Sequence, residues 1–216
     1  MTHAMALHDL VETEARTARK AISALSDEAV DDALRTASRL VRERKDEIIR
    51  ANEIDLANAA GQLDTGTLDR LRLDHTRVEA LSTQIGEMAS IPPLERRGKT
   101  CQLDNGLIVS EQRIPIGVVG ANFEARPNVA LDIAAQLLKS LNSVVLRTGS
   151  AALSTVSVLV DTVLRPALEA AGLPPGASSR HEPCCVNLSF QSSICASTVA
   201  LIPVVRGLFS RCWTTC

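Results

Sequence analysis

Residues 116–175 alternate two kinds of text. A short apolar run at 116–119 (IGVV) gives way to a helical pattern at 128–140, where Val129, Ile133, Ala134, Leu137 and Leu138 recur at short helical steps. A second apolar run at 143–146 (SVVL) precedes a second helical stretch at 153–171, which Gly172-Leu173-Pro174-Pro175 closes. Strand, helix, strand, helix predicts parallel pairing, because a parallel neighbour is reached only by a crossover long enough to hold a helix. The fold class is therefore α/β, with helices on the faces of a parallel sheet.

Upstream the period is helical throughout 6–90. Val30, Ala33, Leu34, Ala37, Leu40 and Val41 form one apolar stripe, Ser26 stands where an N-cap belongs, and Asp27 and Glu28 complement the helix dipole. This predicts a helix of about six turns running towards Arg50. A shorter helix is expected over 53–60 before Gly61, and a third over 75–88, capped by Asp74 and stopped by Ile91-Pro92-Pro93. Asp104-Asn105-Gly106 predicts a hairpin with a type I′ turn and a return strand at 107–113.

Charge excludes some functions. The 216 residues carry 23 basic and 25 acidic side chains, interspersed, for a net charge of −2. No single-signed field points to nucleic acid or an anionic membrane, so a small molecule is the expected partner. The first twenty residues are polar and acidic, without an apolar core segment, and predict a cytoplasmic protein.

Six cysteines are distributed unevenly: Cys101 alone precedes residue 177, while Cys184, Cys185, Cys195, Cys212 and Cys216 crowd the tail. Their spacing fits no zinc pattern, and no metal is expected. Cys101 is expected to be a partly buried, passive thiol. Over 177–216 the charged residues shrink to Arg180, Glu182, Arg206 and Arg211. The apolar run at 194–205 is too short and too interrupted for a membrane span. The shift predicts a body at 1–176 and an atypical tail at 177–216, read as a frame-shifted continuation rather than a native domain.

In parallel α/β sheets, ligands bind beyond the carboxyl ends of the strands, facing helix N-termini. Two such edges are expected here. The first is 120–128, GANFEARPN, between the strand ending at Val119 and the helix opening at Pro127; the second is Arg147-Thr148-Gly149-Ser150. Arg126 beside free backbone N–H groups suits a phosphate, carboxylate or developing oxyanion, and Asn128 adds a neutral donor. The bland alternative is a surface salt bridge between Glu124 and Arg126, with Asn128 capping its own helix. Arg147, Gly149 and Ser150 offer a cation, a close backbone approach and a hydroxyl for a nucleotide; their bland reading is a turn. Gly117-x-x-Gly120 is not the G-x-G-x-x-G dinucleotide fingerprint.

The segments DNGLIVSEQRIPIGVVG, FEARPNVALDIAAQLLKS and VVLRTGS, with IIRANEIDLANA and LDRLRLD upstream, closely resemble the gamma-glutamyl phosphate reductase family of the aldehyde dehydrogenase superfamily. The likeness covers about residues 8–176. It implies N-terminal helices at 6–90 followed, over 100–176, by a hairpin and part of a parallel-sheet cofactor domain: an incomplete fold. It implies NADPH-dependent reduction of L-glutamate 5-phosphate to glutamate 5-semialdehyde in proline biosynthesis, through a cysteine thiolate that attacks the acyl phosphate. Glu124 and Arg126 match the substrate-binding motif, Asn128 an oxyanion-binding or positioning residue, and Arg147, Gly149 and Ser150 the contacts to the NADP(H) adenosine ribose or 2′-phosphate.

The sequence departs from that pattern in several places. The family usually has glycine where Leu141 and Thr148 stand, and often an acidic residue at Ala151. The family's nucleophilic cysteine lies in a second half with no counterpart here, so this chain alone is expected to be inactive. The competing expectation is a non-catalytic interaction protein, or a pseudogene product, that retains part of the cofactor domain. Its sheet edge would associate with another copy or with the full-length reductase.

Overall fold

The computed structural model describes residues 12–13, 15–174 and 178–181; the tail cysteines and the run at 194–205 lie outside them. Residues 15–21 are helical (α1), and a 3-10 turn, Ile22–Ala24, leads into α2, Asp27–Glu43. Ser26 is the N-cap, its hydroxyl accepting the Ala29 N–H at 3.3 Å. Asp27 does more than complement the dipole. It receives two 2.7 Å hydrogen bonds from Arg96, which hold its carboxyl below the usual range.

The single helix expected to reach Arg50 is two. Arg44 leaves helical geometry (φ −98°, ψ 12°), and α3, Lys45–Ala59, restarts at once, absorbing the separate helix expected over 53–60. The break lets the two halves pack on different partners: α2 lies against α5, His75–Ser90, while α3 turns its buried residues towards the crossover helix that follows β4. Between them stands a short helix that the hydrophobic pattern did not reveal. This is α4, Thr65–Leu71, capped by Asp64, which accepts the Gly66 and Thr67 N–H groups.

Contact between α2 and α5 is close because its centre is small. Ser38 and Ser82 each donate to the other's backbone carbonyl at 2.8 Å, and a Cβ on Gly86 would stand 3.2 Å from the Ser38 hydroxyl.

The hairpin pairs β1, Arg97–Gln102, with β2, Ile108–Gln112, antiparallel. Its turn is not the expected type I′. Only Gly106 has positive φ (84°); Gly106 N–H bonds Leu103 O, and Leu103 N–H bonds Leu107 O. Two ordinary turn residues followed by a left-handed glycine give a bulged three-residue loop, which leaves Asp104 and Asn105 unstrained. Both strands are exposed, and so are Leu103, Leu107, Ile108, Val109, Ile114 and Ile116. Cys101, expected to be partly buried, is exposed on β1 because that strand has no face against the core.

The second sheet has the order β3-β4-β5, all parallel: β3 Val118–Phe123, β4 Ser143–Thr148 and β5 Ser178–His181. β3 begins later than the expected run at 116–119 and continues through Gly120 to Phe123, so Ile116 lies outside it, and exposed. β5 lies past the change in composition at residue 177, so the sheet reaches at least to His181.

The crossover from β3 to β4 is α6, Asn128–Lys139. It ends in a Schellman arrangement, with Leu141 N–H on Leu138 O and Asn142 N–H on Leu137 O, both at 2.8 Å. Leu141 therefore takes the left-handed position (φ 57°) that glycine fills at no steric cost. Lys139, at the other side of this terminus, is mostly buried and reaches Asp31 at 2.6 Å and the Ile91 carbonyl at 2.5 Å, joining α6 to α2 and to the end of α5.

The next crossover is a continuous helical run: α7, Leu153–Val158, a π-helical segment, Leu159–Leu164, and α8, Arg165–Ala170. The π segment was not foreseen, although Pro166 signals it. A proline inside a helix cannot donate to residue i−4 and crowds that carbonyl, and widening the preceding turn relieves both. Residues Ser150–Ala170 are long and apolar enough to cross a bilayer by length and composition. Packing accounts for that apolarity: Val156, Leu159, Val160, Val163, Leu164, Ala167 and Leu168 are all buried in the one core shared with α2, α3 and α6.

Candidate functional site

The N-terminus of α7 has no cap of its own, since Ala152 stands at that position. Asp55 of α3 takes over. Its buried carboxylate accepts the backbone N–H groups of Ser154 (3.1 Å) and Thr155 (2.8 Å) and the Thr155 hydroxyl (2.6 Å). Asn52, one turn earlier, donates to Leu71 O and to the Thr155 hydroxyl and accepts the Leu73 N–H. IIRANEIDLANA thus carries a polar clamp, which fixes where β4 must hand the chain to its helix. Sequence reasoning assigned these residues no role, because two polar positions within a helical pattern read as its solvated face.

At the start of β3, Asn142 accepts the Gly117 N–H at 2.8 Å, and Ser143 N–H bonds the Gly117 carbonyl. This sets the register of the two strands. Val118 stands opposite Ser143, and the pairing runs without a bulge to Phe123 opposite Thr148. The strands therefore end side by side, about 4.8 Å apart. The two edges expected separately, after β3 and after β4, are one edge.

Glu124, the first residue past β3, lies across Gly149, the first past β4. A Cβ placed on Gly149 would stand 3.3 Å from Glu124 Cγ and 3.5 Å from its Oε1, so the absence of a side chain at 149 makes room for the glutamate. Arg147 is exposed on the same edge, held by its 3.1 Å hydrogen bond to Asn122 Oδ1 on the neighbouring strand. Ser150 is exposed beside it, at the start of a single 3-10 turn.

The corner turns at Ala125, which is buried with φ at 49°. A left-handed non-glycine residue costs on the order of 1 kcal/mol, and here the core grips its methyl group. The exposed residues on either side, Glu124 and Arg126, are thereby kept out of the core. They form no salt bridge: among the described residues neither side chain has a hydrogen bond or ion pair. That removes the first bland reading.

The second also fails. Asn128 is not the cap of α6 but its first residue, after Pro127. Its amide donates to Asp132 Oδ2 at 3.3 Å, one turn along the helix. Asp132 is half-buried, and burial pushes its carboxyl up to about 6 against the lowering effect of the Asn128 hydrogen bond. An amide has two N–H donors, and this contact commits one. No hydrogen bond among the described residues links Asn128 or Arg126 to Glu124, Arg147 or Ser150.

Chemically, the edge holds an unpaired cation, an unpaired carboxylate, a second cation anchored to the sheet, an exposed hydroxyl and one open amide donor. It suits a ligand with anionic groups and hydroxyls. Thr148, where the resemblance leads one to expect glycine, buries a hydroxyl without a partner among the described residues.

Comparisons with known proteins agree with the resemblance. No family model matches the chain. The gamma-glutamyl phosphate reductase of Streptococcus pneumoniae is 39% identical over 163 residues, which are 75% of this chain and 39% of that enzyme. The chain thus spans about two fifths of the length of the curated relatives it matches. Among solved structures, the gamma-glutamyl phosphate reductase of Thermotoga maritima superposes with a TM-score of 0.72 at 27% identity, covering 79% of this chain and 42% of that one. The Saccharomyces cerevisiae enzyme gives 0.71 at 28%, covering 79% and 45%. A glyceraldehyde-3-phosphate dehydrogenase from Methanocaldococcus jannaschii, complexed with NADP, shares the fold with a TM-score of 0.61 at 18% identity, covering 80% and 36%. The body of this chain is thus homologous to part of the gamma-glutamyl phosphate reductases and has an aldehyde-dehydrogenase-like fold.

Proposed function

We infer that the body supplies the nucleotide and anion edge of an NADP-dependent reductase that converts L-glutamate 5-phosphate to glutamate 5-semialdehyde. The observation that carries this is the in-register ending of β3 and β4, which unites the Glu124-to-Asn128 corner with Arg147, Gly149 and Ser150. A bound nicotinamide cofactor would supply hydride. The residues present fit such a group: Arg147 is an anchored cation for a phosphate, and Ser150 offers an exposed hydroxyl. Arg126 neutralises the acyl phosphate or the substrate carboxylate, and Asn128 turns its open N–H towards the oxygen that gains charge.

The chemistry also needs a thiolate, and Cys101, the cysteine within the described residues, stands exposed on the hairpin. The tail cysteines, outside the described residues, lack the motif that surrounds the family's nucleophile, so on this reading the chain binds without turning over. Titration of the purified chain with NADPH, followed by nucleotide fluorescence, should show saturable binding. Absence of binding would refute the nucleotide edge, and NADPH oxidation driven by glutamate 5-phosphate above a no-protein control would refute the lack of turnover.

A second reading rests on a different observation. The exposed Leu103, Leu107, Ile108, Val109, Ile114 and Ile116 give the hairpin region an apolar surface that suits association, with another copy or with a complete reductase. Sedimentation over a concentration range tests it, and a monomer at every concentration would count against self-association.

A further inference from the structure

Glu124 reads by sequence as a partner for substrate, yet in the structure it lies across Gly149. We propose that Glu124 is a specificity residue of the nucleotide edge, its carboxylate accepting a ribose diol across Gly149 and opposing the 2′-phosphate that Arg147 attracts. The inference rests on the nucleotide reading of the edge given above. Three observations carry it. The first is place: β3 and β4 end in register, so Glu124 leaves its strand beside Gly149, and the missing side chain at 149 admits its Cγ and Oε1. The second is availability. Arg126 makes no ion pair with it, and Arg147 is turned to Asn122, so the carboxylate keeps its acceptor positions free among the described residues. The third is chemistry: an ionised carboxylate only accepts, and two vicinal hydroxyls are donors it can hold together, whereas a phosphate ester in place of one hydroxyl brings a second anion to the same spot.

The consequence is a balance between opposed charges. Arg147 favours the phosphorylated nucleotide and Glu124 the unphosphorylated one, so the preference between them is set by the Arg147 held on Asn122 and by the carboxylate lying against Gly149.

The test is equilibrium binding of NADH and NADPH to the full chain and to its Glu124→Gln variant. The variant keeps the size of the side chain and removes its charge. NADH should bind the variant about tenfold more weakly, as expected for loss of a charge-assisted hydrogen bond, while NADPH binding holds or improves. The ratio of the two dissociation constants should thus move at least tenfold towards NADPH. Gly149→Ala, which displaces the glutamate without changing any charge, should weaken NADH binding in the same sense. An unchanged ratio in Glu124→Gln, with both nucleotides still bound, overturns this assignment and leaves the nucleotide edge standing. Failure of the unsubstituted chain to bind either nucleotide removes both.

Discussion

Two groups of polar side chains flank the passage from β4 into α7, and they are treated in opposite ways. At Asn52, Asp55 and Thr155 the side chains are buried and their contacts matched, donor to acceptor. At Glu124 and Arg126, just past the neighbouring strand, charges are exposed and have no partner among the described residues. The first group spends its hydrogen-bonding capacity on the fold; the second keeps it for something else. Charge alone does not mark a site; it is the charge left without a partner at this strand-to-helix corner that carries the reading proposed above.

That contrast can be broken at its strong end first. Asp55→Ala strands the buried Thr155 N–H and hydroxyl and the half-buried Ser154 N–H, and should cost about 3 kcal/mol in urea unfolding of the purified chain. A loss under 1 kcal/mol would mean that α7 holds its N-terminus without help.

Next in size is Asp132, which lies between the two regimes: half-buried, with the Asn128 amide as its hydrogen-bond partner. Its carboxyl titrates near 6 in the folded chain against 3.8 as a free group. The native state therefore binds the proton more tightly than the unfolded state does, so this group's contribution makes stability fall as pH rises from about 4 to about 6. Asp132→Asn, still able to accept from Asn128, should raise stability at pH 7 by on the order of 2 kcal/mol. The gain should disappear below pH 4, and unfolding midpoints at both pH values check the sign.

Leu141 gives a smaller and purely conformational comparison. With φ at 57° it holds a position that suits glycine. Leu141→Gly should be more stable than Leu141→Ala by about 1 kcal/mol, because both remove the same packing and only alanine keeps the left-handed strain. Equal midpoints would show that the helix end relaxes.

Smallest of all should be the effect of Arg126→Ala on stability, within about 0.5 kcal/mol in either direction. The same variant should lose affinity for inorganic phosphate or glutamate 5-phosphate by calorimetry. A large stability loss would place Arg126 with the clamp rather than with the open edge.

Much of this architecture was legible before the structure. Ser26 and Asp74 cap the helices they precede, and the alternation after residue 116 does make a parallel sheet. What escaped was set by partners distant in sequence. Arg44 interrupts a helix because α2 and α3 face different neighbours, and no local propensity records that. The turn at Asp104-Asn105-Gly106 used only its glycine for positive φ, since two turn types share that sequence. Of the site, Glu124, Arg126, Asn128, Arg147, Gly149 and Ser150 could be named from strand-to-helix corners, but not how they group. Register decides that, and register is fixed by Asn142 reaching back to Gly117 across 25 positions.

The glutamate lying over Gly149 also constrains how this edge can change over generations. A side chain at 149 would meet Glu124 Cγ at 3.3 Å, so the glutamate would have to shift by a few tenths of an ångström to admit it. The two positions should therefore drift as a pair, each tolerating in the altered background what it rejects in the original, so that effects measured singly do not add. Two loops separated by a whole helix in the chain behave, for selection, as a single locus.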